Sequence, residues 1–248
     1  MGLLSKLKEA NKAVEIEEAT DSLGGSIIES GLYNATIKVA YHKLADSGAN
    51  AIVFQFALDN GREFTSTEFI TSGKEKGCKH YYTDKNGNNK FLPGFTVAED
   101  IAQFAADNSI FDLDAEEKVL PIYNYELKKD VPTQVNVYTC LAGKKVQLGI
   151  LNKKENKSVK GNDGSYVKTA DTRNVNEINK VFNEDGFTQS ELRAHLDAPV
   201  FKNKWTDKYA GQEIDRVDTS IKGGSAAGAS KGKAAAAIEE ADDIFSED

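Results

Sequence analysis

Only two cysteines occur in 248 residues, Cys78 and Cys140, with no C-x-x-C pair and no histidine pair near either. Neither a disulfide framework nor a zinc site is therefore expected to organise the fold. Long apolar runs are also missing: nothing approaches the roughly 18–20 residues that a membrane-spanning helix requires. Residues 1–20 hold no apolar stretch followed by a small-residue cleavage site, so no secretory leader is expected and the cytoplasm is the expected compartment. Catalytic signatures are absent as well. There is no G-x-x-x-x-G-K-[ST], no G-x-S-x-G, no H-E-x-x-H and no G-x-G-x-x-G. The three histidines, His42, His80 and His195, are scattered, and Asp112, Asp114, Glu116 and Glu117 read as a solvated loop rather than as metal ligands. No catalytic residue, metal or cofactor is expected, and the chain reads as a binding protein rather than an enzyme.

What is present is charge, unevenly placed. The formal net charge is −8. The last fifteen residues hold six acids (Glu239, Glu240, Asp242, Asp243, Glu247 and Asp248) and no base. The first thirty carry three lysines against six acids, which leaves residues 31–233 with 28 bases and 27 acids. Within that near-neutral body two segments are cationic. Lys74, Lys76, Lys79, Lys85 and Lys90 face only Glu75 and Asp84. Lys144, Lys145, Lys153, Lys154, Lys157, Lys160 and Lys168 face only Glu155 and Asp163.

Apolar spacing orders the chain. Leu3, Leu4, Leu7, Ala10, Val14 and Ile16 recur at helical intervals, so the arm 1–30 carries an expected short helix. Tyr33, Ala35, Ile37, Val39 and Tyr41 then alternate with polar residues, as do Ile52, Phe54, Phe56 and Leu58, and both segments read as strands. Ile37, Val39, Phe54 and Phe56 are the expected core. A turn at residues 59–61 leads to a strand over 62–71, and Asn86-Gly87 marks a hairpin between Tyr81-Tyr82 and Phe91-Leu92. Residues 96–106 read as a helix with Thr96 as N-cap and Glu99 completing a capping box. Strands are expected over 119–128, 133–141 and 145–152, then a polar loop over 153–165 and a short return at 166–169. Short helices are expected over 188–196 and 202–210. Residues 223–237 contain no large apolar side chain and read as a flexible linker. The expected class is mainly β: an OB-fold-like, partly closed five-stranded barrel with long loops, a short helix between strands, small C-terminal helices and a disordered tail. A β-sandwich fits the strand count nearly as well. The division is an arm (1–30), a binding domain (31–185), a helical extension (186–217), a linker (218–237) and an acidic tail (238–248).

The most informative stretch is 73–95, where five lysines interleave with Tyr81, Tyr82, Phe91 and Phe95. A single-stranded polynucleotide calls for both components. Ammonium groups replace counterions along the phosphates, and rings stack on unpaired bases at roughly 1–3 kcal/mol per base. Lys74, Lys76, Lys79, Lys85 and Lys90 are the expected phosphate contacts. Tyr81, Tyr82 and Phe91 are the expected stacking rings, with His80 beside them, and Arg62, Lys144 and Lys145 are secondary. The plain alternative makes Tyr81 and Phe91 cross-strand partners with the lysines a solvated rim. In the tail, Ile244 and Phe245 sit among Asp242, Asp243 and further carboxylates. These four residues form the expected partner-binding tip, on a tether of about 20 residues with a reach of about 25 Å. Such a tip can compete with nucleic acid for the cations or dock on a partner.

Three segments carry a family likeness. Residues 73–94, with Tyr81-Tyr82, Asp84-Lys85, Gly87 and Leu92-Pro93-Gly94, resemble single-stranded DNA-binding proteins of lytic podoviruses. So do Leu141-Ala142-Gly143-Lys144 running into Val146-Gln147-Leu148-Gly149-Ile150, and Tyr166-Val167 with residues 176–182. The resemblance implies an OB-fold core and a setting in phage DNA replication and recombination within an infected host cell. It also implies an acidic terminus that contacts replication proteins such as a DNA polymerase or helicase/primase. Some relatives assist host RNA polymerase. This chain departs from the pattern in ending Ser246-Glu247-Asp248 after the phenylalanine rather than on the aromatic residue. The rival readings are a transcription coactivator that reaches RNA polymerase through its tail, and a structural β-sandwich protein.

Overall fold

The computed structural model describes residues 27–124, 127–161 and 166–221. The expected amino-terminal helix, the linker from residue 222 onward and the tip bearing Asp242, Asp243, Ile244 and Phe245 lie outside the described residues. A three-strand meander opens the fold: β1 (Gly31–Leu44), β2 (Asn50–Leu58) and β3 (Glu63–Phe69). A small hairpin, β4 (Tyr81–Thr83) and β5 (Asn89–Phe91), forms a sheet of its own before helix α1 (Pro93–Ala106). Next come the hairpin β6 (Glu116–Asn124) and β7 (Lys129–Val137) and the long pair β8 (Lys145–Lys160) and β9 (Tyr166–Phe182). Helices α2 (Gln189–Arg193) and α3 (Val200–Tyr209) and the short β10 (Glu213–Asp215) complete the described chain.

Eight strands join in one sheet, ordered β10-β8-β1-β2-β3, with β9 on β8 and the β6–β7 hairpin attached to β1 through β7. β10 runs parallel to β8, and every other pairing is antiparallel. The chain is mainly β as expected, but its large antiparallel sheet does not close into the expected partly closed five-stranded barrel. Among the described residues no pairing joins β3 to β9, and α1 packs against both of these strands and against β8. The helix takes the place that a closing strand pair would fill, so the sheet stays open and its core is covered by α1.

A slip of register in β1 decides which side chains enter that core. Ile37 faces Phe56, but Val39 faces Gln55, so one extra residue is accommodated between Ile37 and Val39. Before the bulge Ala35 and Ile37 point inward with Phe54, Phe56, Leu148 and Ile150. After it, Val39 and Tyr41 point outward and join Val53, Val137, Leu120, Ile122 and Val135 beneath the β6–β7 hairpin. The expectation that Val39 shares the core with Ile37 is corrected by that single inserted residue.

Other boundaries shift for local reasons. Helix α1 starts at Pro93, with Leu92 as its N-cap residue. Thr96 lies inside the helix with its hydroxyl donating to the Leu92 carbonyl, and Glu99 accepts from the Ser109 hydroxyl and the Ile110 amide instead of closing a capping box. Proline in the first turn gives up no helical hydrogen bond, and this favours the earlier start. A true capping box forms at α2, between Thr188 and Glu191. The expected loop over 153–165 is largely strand, because β8 and β9 continue as a paired ribbon beyond the reach of β1. A ribbon with no core beneath it shows no apolar alternation to read. In the same way the hairpin strands expected at 119–128 and 133–141 lie earlier, with their turn between Asn124 and Lys129.

α3 seats Trp205 against the outer side of β8, with Leu151, Phe182 and Tyr209 around it and its indole N–H donating to Asn179 Oδ1 at 2.7 Å. A Cβ at Gly149 would come within 2.8 Å of Trp205 Cζ2, so only glycine allows this approach. Gly149→Ala is expected to destabilise the fold by about 1–3 kcal/mol through overpacking. A lowered Tm and a red-shifted emission from this sole tryptophan check it.

Two carboxylates are buried where α1, β3 and β9 meet. Glu68 is 9% exposed and accepts from the Ser66 hydroxyl. Burial pushes it up to about 7, helped by the nearby Glu177 charge. Asp100 is raised to about 6 by burial, with Lys180, 3.9 Å away, and Arg193 opposing the rise. The folded protein therefore holds these protons more tightly than the unfolded chain. Their stabilising contribution is complete below the ordinary carboxylate range and is lost as pH rises through about 7. Thermal unfolding at a series of pH values is expected to show Tm falling from pH 5 to pH 8. Glu68→Gln should flatten that fall by an amount on the order of 2 kcal/mol.

Candidate nucleic-acid interface

The β4–β5 hairpin hangs from the end of the meander where β1 turns into β2. The segment leading to it is stapled there: the Lys74 amide donates to the Ser47 carbonyl at 2.9 Å, and the Ser72 amide donates to the Lys79 carbonyl at 2.7 Å. The hairpin turn is organised by Asp84, whose Oδ1 accepts from the Asn86 and Asn88 amides at 2.9 and 2.8 Å. Lys90 Nζ lies 3.3 Å from Asp84 Oδ2. The Asn88 amide, followed by the other donors, holds the Asp84 carboxyl below its ordinary range.

Register then sorts the rings. Tyr81 faces Phe91, and Tyr82 faces Lys90. Directly opposed residues share a face and the next pair takes the other, so Tyr81 and Phe91 lie on one side of the hairpin and Tyr82 on the other. The three expected stacking rings do not form one platform.

The side bearing Tyr81 and Phe91 instead meets rings from two other segments. The His80 ring is the hub: its centroid is 5.4 Å from Tyr81, 5.7 Å from Phe91, 5.1 Å from Phe95 and 5.5 Å from Phe111. Phe95, on the first turn of α1, is buried and lies 5.0 Å from Phe91 and 5.2 Å from Phe111. Phe91 is 59% exposed and Phe111 57% exposed, so two flat rings face solvent over the buried Phe95 and the half-buried His80 and Tyr81. Gly94 makes the arrangement possible, because a Cβ there would sit 2.6 Å from the Phe69 carbonyl oxygen and push α1 away from β3. Phe111 gives no signal in the sequence, being an isolated aromatic in a polar loop, sixteen residues beyond Phe95 with no periodic link to it. Phe95, interleaved with the lysines along the chain, is the buried support of the cluster.

The cations divide between two places. Lys79 Nζ lies 5.5 Å from the Tyr81 ring centroid, and Lys74, Lys76, Lys85 and Lys90 are exposed along the same segment. Arg62, Lys144 and Lys145 are elsewhere. Arg62 lies just past the β2–β3 turn with Nη1 donating to the Ile27 carbonyl at 3.4 Å, and Lys145 pairs with Thr36, itself opposite Ala57. β2 runs its nine residues between these two ends, a separation of about 27 Å at the strand rise. The secondary cations therefore do not line a trough shared with the hairpin.

Among the described residues no three histidine, cysteine or acidic side chains converge as a metal site, and no helix is long and apolar enough to cross a membrane. No protein-family model matches the chain, and no curated protein matches it.

Since Asp84 Oδ1 accepts from two amides of the hairpin turn, Asp84→Ala is expected to speed amide hydrogen exchange across residues 81–91 by about tenfold or more while leaving global Tm nearly unchanged. Exchange measured by mass spectrometry checks both halves of that expectation.

Proposed function

We propose that this chain binds single-stranded DNA without strong sequence preference, stacking bases on Phe91 and Phe111 and neutralising phosphates with the lysines of residues 74–90. The observation that carries this reading is the pair of phenylalanines, each more than half exposed, packed on the buried Phe95 beside five lysines. Exposed phenylalanine gains nothing in water, and ring faces presented among ammonium groups match the two needs of an unpaired strand. Lys79 and Tyr81 supply a cation and a ring side by side.

The strand order supports the same reading. A meander β1–β2–β3, a helix, and a pair β8–β9 with β8 returning beside β1 is compatible with an open variant of the oligonucleotide/oligosaccharide-binding fold in which the β6–β7 hairpin is inserted and β3 and β9 do not pair. In this proposal the protein coats and protects single strands during phage DNA replication and recombination. The acidic tip, Asp242, Asp243, Ile244 and Phe245, recruits replication proteins and competes with DNA for the cations. The body needs no cofactor for this task.

Gel shift with oligo(dT) tests the reading, and a chain that leaves the oligonucleotide unshifted at low salt would remove it. Replacing Phe91 and Phe111 together by alanine is expected to weaken binding by more than about tenfold with the salt slope preserved, since stacking releases no counterions. Both rings are exposed, so the fold should survive. Tyr82→Ala, on the hairpin's other side, should change affinity by no more than about twofold. Charge neutralisation at Lys76 and Lys85 should instead lower the salt slope by about one for each phosphate that is no longer neutralised. Removing residues 238–248 is expected to raise affinity at low salt.

A further inference from the structure

β1 and β7 touch at a single register pair, Tyr41 with Val137, continued by the Tyr138 amide donating to the Ala40 carbonyl. Beyond that pair the strands splay. β1 pairs with β2 along its other edge as far as Leu44 with Asn50, and β7 pairs with β6 along its other edge from Val137 to Lys129. Two strand edges thus face each other across an open groove with no register between them, β1 residues 42–44 on one wall and β7 residues 133–136 on the other. The floor is apolar, built by Tyr41, Ile122 and Val135. Among the described residues the lining contains Lys43 and no carboxylate, while Gln134 of the β7 wall donates its side-chain amide to Glu117 beside it at 2.9 Å.

We infer that this groove is a strand-addition site for an extended segment of a partner protein in which apolar residues alternate with carboxylates. A strand entering here can hydrogen-bond along either wall, because the outward N–H and C=O groups of an edge strand are the ones left without a ladder partner. Its period of two sends one row of side chains to the apolar floor and the other outward. Lys43 is exposed at the rim and sets the preference for acidic over basic partners. Leu44, 62% exposed at the end of β1, extends the apolar surface toward the open side. The inference is independent of nucleic-acid binding, since the groove lies under the β6–β7 hairpin and contains none of the rings of the β4–β5 cluster.

The test uses the full chain, isotope-labelled, titrated with a short blocked peptide of alternating glutamate and valine. Amide resonances of residues 42–44 and 133–136 are expected to move, while those of residues 80–91 stay in place. The same peptide N-methylated at alternate amides keeps its side chains but loses one edge of donors, and its affinity should fall by about tenfold or more. Lys43→Glu, a change at an exposed site, should weaken the acidic peptide by about tenfold and favour the lysine–valine counterpart. Equal binding of the N-methylated peptide would overturn strand addition. Movement of these amides with oligo(dT) and not with peptide would overturn the choice of a protein partner, and the absence of any peptide-induced movement would overturn the site itself. Oligo(dT) binding measured separately on the same sample keeps these outcomes distinct from those of the DNA-binding proposal.

Discussion

Helix α1 lies where the sheet would otherwise have to close, and the rest of the molecule is arranged around that packing. Its buried stripe, Phe95, Ala98, Ile101, Ala102 and Ala105, covers the core presented by β1, β2, β3, β8 and β9. Because the helix stands between β3 and β9, neither strand needs the other as a partner, and their polar side chains are trapped against it. Glu68 of β3 is one result, and Asp100 of the helix itself is held out of water at the same junction, where β3 and β9 do not pair. Lys180 and Ser66 give them partial compensation only. Burying incompletely compensated carboxylates costs stability when they ionise, so the open side of the sheet is also its most pH-sensitive part.

The same helix sets the candidate interface. Phe95 belongs at once to the core and to the ring cluster, so the packing that fixes α1 on β3 also fixes the floor under Phe91 and Phe111. A three-residue hairpin would be a poor platform by itself, since two short strands bury little. Here the segment leading to it is tied to the β1–β2 turn by the Lys74 amide, which donates to the Ser47 carbonyl, and its second arm runs through Leu92 straight into α1. Rigid support of this kind lowers the ordering cost of binding. The lysines of residues 74–90 are exposed around it.

Much of the interface could be read directly from the chain. Asn86-Gly87 between Tyr81 and Phe91 marked the hairpin, and its lysines were legible as a local excess against a net charge of opposite sign. The alternation of Ile52, Phe54 and Phe56 gave the central strand, because a strand buried on one face must repeat every second residue. Three features were not legible. Phe111 reaches the cluster only through the path of the loop after α1. The bulge after Ile37 sends Val39 and Tyr41 outward although their spacing continues the inward pattern. The outer parts of β8 and β9 pair without a core beneath them, and polar residues on both faces leave no periodic trace.

By itself, then, the order of residues determined which segments extend, where the β4–β5 hairpin turns, and where cations and rings concentrate, because these follow from local dihedral preference, side-chain period and charge counted along the chain. Only the tertiary structure decided that the sheet stays open behind α1, and that Phe111 joins the ring cluster. It also decided that Arg62, Lys144 and Lys145 stand a strand's length from the hairpin. Those outcomes depend on register and on which element fills a gap, and both are settled by packing between residues far apart in the chain.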